Sequence, residues 1–126
     1  MIRLLLDSHV LVWWLMQSET IGPDLHDLIG SPQNDVFVSI ASPWELAIKE
    51  SLGKMRVPPN LADVLEEERF TLLPITLSHI NVIKTLPRHH GDPFDRIMIA
   101  QAQVEGLTIV SRESWFETYE VTLLKA

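Results

Sequence analysis

Apolar residues are grouped along the chain into short aliphatic runs and longer segments with helical spacing. Ile2–Leu6 is brief, aliphatic and uninterrupted, the pattern of a buried strand. Val10–Leu15 follows at once and is too apolar for a surface loop, so it reads as a largely buried helix with Asp7 or Ser8 near its N-cap. Gly22-Pro23-Asp24 opens a second helix, with Gly30 after its end. Val36–Ile40 is a second buried strand. Ser42-Pro43-Trp44-Glu45 then has the form of a capping box, with Ser42 at N-cap, Pro43 at N1 and Glu45 at N3, on a helix closed by Gly53. Asn60 caps a helix through Leu61, Val64 and Leu65. Leu72–Ile75 is a third strand, and Pro74 favours a sheet edge or strand end. Thr76 or Ser78 starts a helix through Ile80, Ile83 and Leu86. Asp92-Pro93-Phe94-Asp95 opens a long helix closed by Gly106. Leu107–Val110 and Val121–Leu124 complete the strands, with a short turn over 115–119 between them. Strands alternating with helices predict an α/β fold, a parallel sheet of about five strands with helices on both faces.

Composition narrows this to one ordinary globular domain spanning 1–126. Apolar residues make up 46% and charged residues 21% of 126, so disorder is excluded as the main state. The absence of cysteine removes disulfides, zinc–thiolate sites and thiol nucleophiles. No run approaches the roughly 20 apolar residues of a membrane span, and no signal peptide is visible, so the expected location is cytoplasmic. The net charge of -7 argues against a general binder of nucleic acid or anionic membrane, both of which need a basic footprint.

That acidity changes meaning once the acids are placed on the elements. In open parallel sheets, sites form at the carboxyl ends of strands. Asp7 follows the first strand, Glu45 lies just beyond the second, Asp95 with Asp92 starts the long helix, and Glu113 follows the fourth. If those strand ends are neighbours, the acids converge. Two carboxylates about 4 Å apart repel by roughly 4 kcal/mol at an effective dielectric of 20, a conflict that a hard divalent cation removes. Each acid also has a plainer role as a helix cap, a first-turn charge or solvated surface.

The words around these acids resemble a known family. Leu4-Leu5-Leu6-Asp7-Ser8-His9-Val10 is similar to the opening of a PIN domain of the VapC toxin type. Ser42-Pro43-Trp44-Glu45-Leu46-Ala47, Gly91-Asp92-Pro93-Phe94-Asp95-Arg96 and Thr108-Ile109-Val110-Ser111-Arg112-Glu113 are similar to that family's other acidic segments, in the expected order over nearly the whole chain. The resemblance implies a PIN-like three-layer α/β/α fold. It also implies a Mg2+- or Mn2+-dependent endoribonuclease, the toxin of a type II toxin–antitoxin pair, cutting tRNA, rRNA or mRNA. A small antitoxin partner and a homodimer follow from the same resemblance. Asp7, Glu45 and Asp95 match the family's acids directly, and Asp92 matches a supporting one. Glu113 stands where Asp is common, and Ser111 where Thr is usual. In the mechanism so implied, Asp7, Asp95 and Glu113 hold the metal, and Glu45 orients or deprotonates the attacking water.

Phosphate contacts would fall to Lys49, Lys54, Arg56, Arg88 and Arg96. Lys49 is also spaced for an ion pair with Glu45, and Arg96 for one with Asp95. Trp13 and Trp14 suit a core or dimer face better than base stacking, and the His89-His90 pair a solvated loop better than a metal-capturing pair, since adjacent side chains diverge on most backbones. Two other classes compete: a Mg2+-dependent phosphohydrolase with Asp7 as nucleophile, and a non-catalytic metal-binding regulatory module. The phosphohydrolase usually carries a second acid two residues on, where this chain has His9.

Overall fold

A computed structural model describes residues 1–126. Five strands, β1 (Arg3–Leu6), β2 (Asp35–Ser39), β3 (Phe70–Leu73), β4 (Thr108–Ser111) and β5 (Thr122–Lys125), form one sheet in the order β3-β2-β1-β4-β5. Every pairing is parallel, as a chain with a helix between successive strands requires. The helices are α1 (Ser8–Leu15), α2 (Pro23–Gly30), α3 (Ala41–Ser51), α4 (Leu61–Glu67), α5 (Leu77–Ile83) and α6 (Pro93–Glu105), with a 3-10 turn over Ser114–Thr118.

The strands divide the core by their period of two. Leu4, Leu6, Val36, Val38 and Val110 face one layer, where they pack with Val10 and Leu11 of α1, Leu46 of α3 and Leu65 of α4. Leu5 and Ile109 face the other, against Met98, Ile99 and Ala102 of α6 and against Phe116. Leu4, Leu5 and Leu6 are all fully buried, which explains why β1 reads as a continuous apolar run instead of an alternating one. Each such leucine contributes roughly 1.5–3 kcal/mol relative to exposure. Pro74 follows β3, which is an edge strand as its sequence suggested.

Helix boundaries depart from the pattern at one functional place. α3 begins at Ala41, with Ile40 as its N-cap and no side-chain cap. The Ser39 hydroxyl accepts the Ala41 amide instead, so the helix starts before Ser42 can cap it. Ser42 is buried inside the first turn, and its hydroxyl meets that of Ser8 at 3.0 Å, tying α3 to α1. The expected capping box is therefore absent, and the Glu45 carboxylate is released from backbone duty. Asn60 likewise sits at an N-cap without a side-chain bond.

At the other end of the fold, Gly106 terminates α6 in the left-handed region at φ 69°. A Cβ there would meet nothing within 4 Å, so replacement tests backbone strain alone. Gly106→Ala is expected to cost about 1 kcal/mol, seen as a lower midpoint in thermal or urea unfolding without change in the folded spectrum.

Candidate active site at the carboxyl edge of the sheet

The chain builds outward from β1 to β2 and β3, then returns to lay β4 on the other side of β1. This reversal opens the crevice where ligands bind in such sheets. Asp7, directly after β1, lies there. Its amide donates to the Val110 carbonyl at 3.0 Å, so the β1–β4 pairing carries one residue beyond the strand. The same register brings Ser111 alongside, and its hydroxyl donates to Asp7 Oδ2 at 2.9 Å. Asp7 is the N-cap residue of α1 but makes no side-chain cap bond. Asp7 is only 3% exposed, and its backbone is fixed on both sides.

Two further acids reach the same point from different elements. Glu45 stands one turn into α3 and Asp95 in the first turn of α6. The Asp95 carboxyl is pushed up to about 7, first by burial and then by the charges of Asp92, Asp7 and Glu45, with His9 pulling the other way. Asp92, Asp7 and Glu45 thus all act on Asp95. Asp92 caps α6, its Oδ1 accepting the amides of Phe94 and Asp95 at 2.8 and 3.1 Å. Burial and like charge both favour the protonated form of Asp95.

The surrounding cations only partly compensate. Lys49 pairs with Glu45 at 3.5 Å, the i,i+4 contact that its spacing suggested. His9 Nδ1 lies 3.7 Å from Asp7 Oδ2, an ion-pair distance beyond hydrogen-bond range. The imidazole pKa is raised, chiefly by this contact with Asp7. Arg96 does neither thing expected of it. Its guanidinium donates to the carbonyls of Leu86, Pro87 and His90 and approaches the Tyr119 hydroxyl. It pairs with no acid and is occupied as a clamp on the loop before α6, so it is withdrawn as a phosphate contact. Lys54, Arg56 and Arg88 are exposed and form no ion pair.

Glu113 stands apart from the other acids. It is exposed and is not among the charges that raise Asp95. What binds it to the site is its backbone, whose amide donates to Ser111 Oγ at 3.0 Å. Ser111 thus joins the turn carrying Glu113 to Asp7.

His90 belongs to the site although its sequence context suggested a solvated loop. Its Nε2 lies 3.1 Å from Asp95 Oδ2, and His90, Asp92 and Asp95 present ligand atoms within 4.8 Å of one another. Only Gly91 separates His90 from the Asp92 motif, a proximity that could have flagged it, but adjacency in sequence does not say which histidine of a pair turns inward.

A family model described as PIN domain matches residues 4–121. The chain belongs to the PIN-domain family. Members of this family are nucleases. Solved structures agree on the fold. A VapBC2 complex from Rickettsia felis bound to a promoter DNA fragment matches with TM-score 0.73 at 14% identity, covering 98% of each chain. A DNA-bound VapBC from Salmonella typhimurium matches with TM-score 0.69 at 19% identity, covering 99% of this chain and 98% of the other. A toxin–antitoxin complex from Klebsiella pneumoniae gives TM-score 0.65 at 15% identity, over 96% and 95% of the two chains. No curated protein matches the chain significantly. No helix of this PIN domain is long and apolar enough to cross a membrane.

Proposed function

We propose that this PIN domain is the toxin of a type II toxin–antitoxin pair, a Mg2+- or Mn2+-dependent endoribonuclease acting in the cytoplasm. One observation carries the reading. The Asp95 carboxyl, at the start of α6, is pushed up to about 7, first by burial and then by the charges of Asp92, of Asp7 after β1 and of Glu45 on α3. An all-oxygen donor set with excess negative charge suits a hard divalent ion. Asp7 and Asp95 would hold it, with Glu113 reaching it directly or through water. Such an ion supplies Lewis-acid stabilisation of charge on a scissile phosphate and a lowered pKa for water.

The chain's own residues set the geometry. Ser111 fixes the Asp7 carboxylate, and the Asp92 cap fixes the α6 terminus that carries Asp95. Glu45, with Lys49 beside it, would orient the attacking water or take its proton. Lys54 and Arg56 are the exposed cations best suited to guide RNA phosphates. Attack by water leaves a 5′-phosphate and a 3′-hydroxyl. End-group analysis of RNA cut by the purified protein is expected to find those ends, and a 2′,3′-cyclic phosphate would exclude the mechanism.

Likeness to toxin–antitoxin complexes supports a small antitoxin partner. A basic side chain from it could pair bidentately with these carboxylates. A homodimer is supported by an apolar face beside the site. Trp44 is 59% exposed, Ile48 41%, Leu77 74% and Ile80 46%, and Trp44 meets Phe94 edge-on at 4.9 Å.

A further inference from the structure

We infer that His90 is a positioning residue for Asp95, built into the fold to fix the plane of that carboxylate. The inference rests on the metal-dependent reading of the acidic site and adds a residue to it.

Three sets of contacts hold His90. Its ring lies flat on Trp115, with centroids 3.8 Å apart and planes 15° from parallel. Trp115 in turn stacks on Phe116 at 4.0 Å, and Phe116 is fully buried in the core. The His90 amide donates to the Tyr119 hydroxyl at 2.8 Å, and its carbonyl accepts from Arg96. Arg96 also binds the carbonyls of Leu86 and Pro87, so the whole approach to α6 is pinned. A loop histidine without these contacts would sample several rotamers. This one has backbone and ring fixed separately, by residues from α6 and from the segment after β4.

The fixed ring ends on one atom. Nε2 lies 3.1 Å from Asp95 Oδ2, within hydrogen-bond range; in the tautomer with the proton on Nε2, the ring donates to the ionised carboxylate. A ring nitrogen that donates its proton to a carboxylate has no lone pair left for a cation. His90 therefore stands behind the carboxylate, although its ligand atom falls within 4.8 Å of those of Asp92 and Asp95. Holding one oxygen stops the carboxyl group from rotating and leaves the other oxygen for the ion. Partners of this kind typically change metal affinity 10- to 100-fold when removed.

The test is Mn2+ binding to the full chain by titration calorimetry in the absence of RNA, with thermal unfolding as a check on folding. His90→Ala is expected to weaken Mn2+ binding about tenfold while leaving the metal-free protein folded. His90→Gln, whose amide N–H can reach the same oxygen, is expected to recover most of that loss. Unchanged binding in His90→Ala would overturn the inference. Equal weakening in both variants would also overturn it, because it would mark the ring nitrogen as a ligand and not a donor. Asp95→Asn serves as the reference. If it loses Mn2+ while His90→Ala does not, only the role of His90 fails. If Asp95→Asn binds Mn2+ like the wild type, the metal reading beneath it fails as well.

Discussion

Asp7→Asn is expected to lower metal-dependent RNA cleavage by at least about a thousandfold, or about 4 kcal/mol of transition-state stabilisation, with the fold intact. Asparagine keeps the size of the side chain and an oxygen that can accept from Ser111, so the 2.9 Å contact and the β1–β4 register survive. What is lost is one negative charge from the cluster. The same change relieves repulsion on Asp95, so the metal-free variant should melt no lower than the wild type. That combination separates a site residue from a structural one: a buried aspartate needed only for folding would lose stability and activity together. Cleavage at the wild-type rate by folded Asp7→Asn protein would remove Asp7 from the mechanism.

Magnesium binding should weaken about tenfold for each pH unit below about 7, so roughly a hundredfold between pH 7 and 5. The cause is Asp95, whose carboxyl is pushed up to about 7 by burial and by Asp92, Asp7 and Glu45. Below that pH a proton occupies the carboxyl and competes with the ion. Stability of the metal-free protein moves the opposite way. A carboxyl with a raised folded pKa binds more protons folded than unfolded, so stability falls as pH rises from about 4 to 7. With partial solvent exposure the loss is of order 1–2 kcal/mol. Asp95→Asn should flatten this slope, and saturating Mg2+ should reverse the loss at pH 8. Calorimetric titrations at three pH values, with melting curves of the metal-free protein, measure both. A pH-independent Mg2+ affinity would show that Asp95 is not a ligand.

The acid excess that argued against a nucleic-acid binder is thus concentrated. Asp7, Glu45, Asp92 and Asp95 account for four of the seven excess negative charges and meet at one edge of the sheet. In the proposed ribonuclease, guidance of RNA would fall to a few exposed bases, since Arg96 is taken up by backbone carbonyls and Lys49 by Glu45.

Hydrophobic period and punctuation determined the elements. Each of the five strands and six helices exists near where the aliphatic runs, Pro23, Pro93 and Gly106 placed it, because backbone geometry and apolar burial act locally, although β3 lies at Phe70–Leu73 instead of Leu72–Ile75 and α5 ends at Ile83, before Leu86. The sequence also supplied the acids themselves, with the motifs around them. Tertiary structure decided what those side chains do. Glu45 looked like part of a capping box, but Ser39 starts α3 early and Ser42 turns to Ser8, from a separate helix. Arg96 looked like a partner for Asp95 or for phosphate until the loop at 86–90 folded over it. His90 looked like solvent-facing polar surface until Trp115, 25 residues later in the sequence, provided the plane on which it lies. Glu113 resembled the other acids in sequence, yet it stands exposed at the rim. The strand order that brings Asp7, Glu45 and Asp95 together is likewise a long-range choice. A residue's partner is fixed by contacts between distant segments, and local pattern carries no record of them.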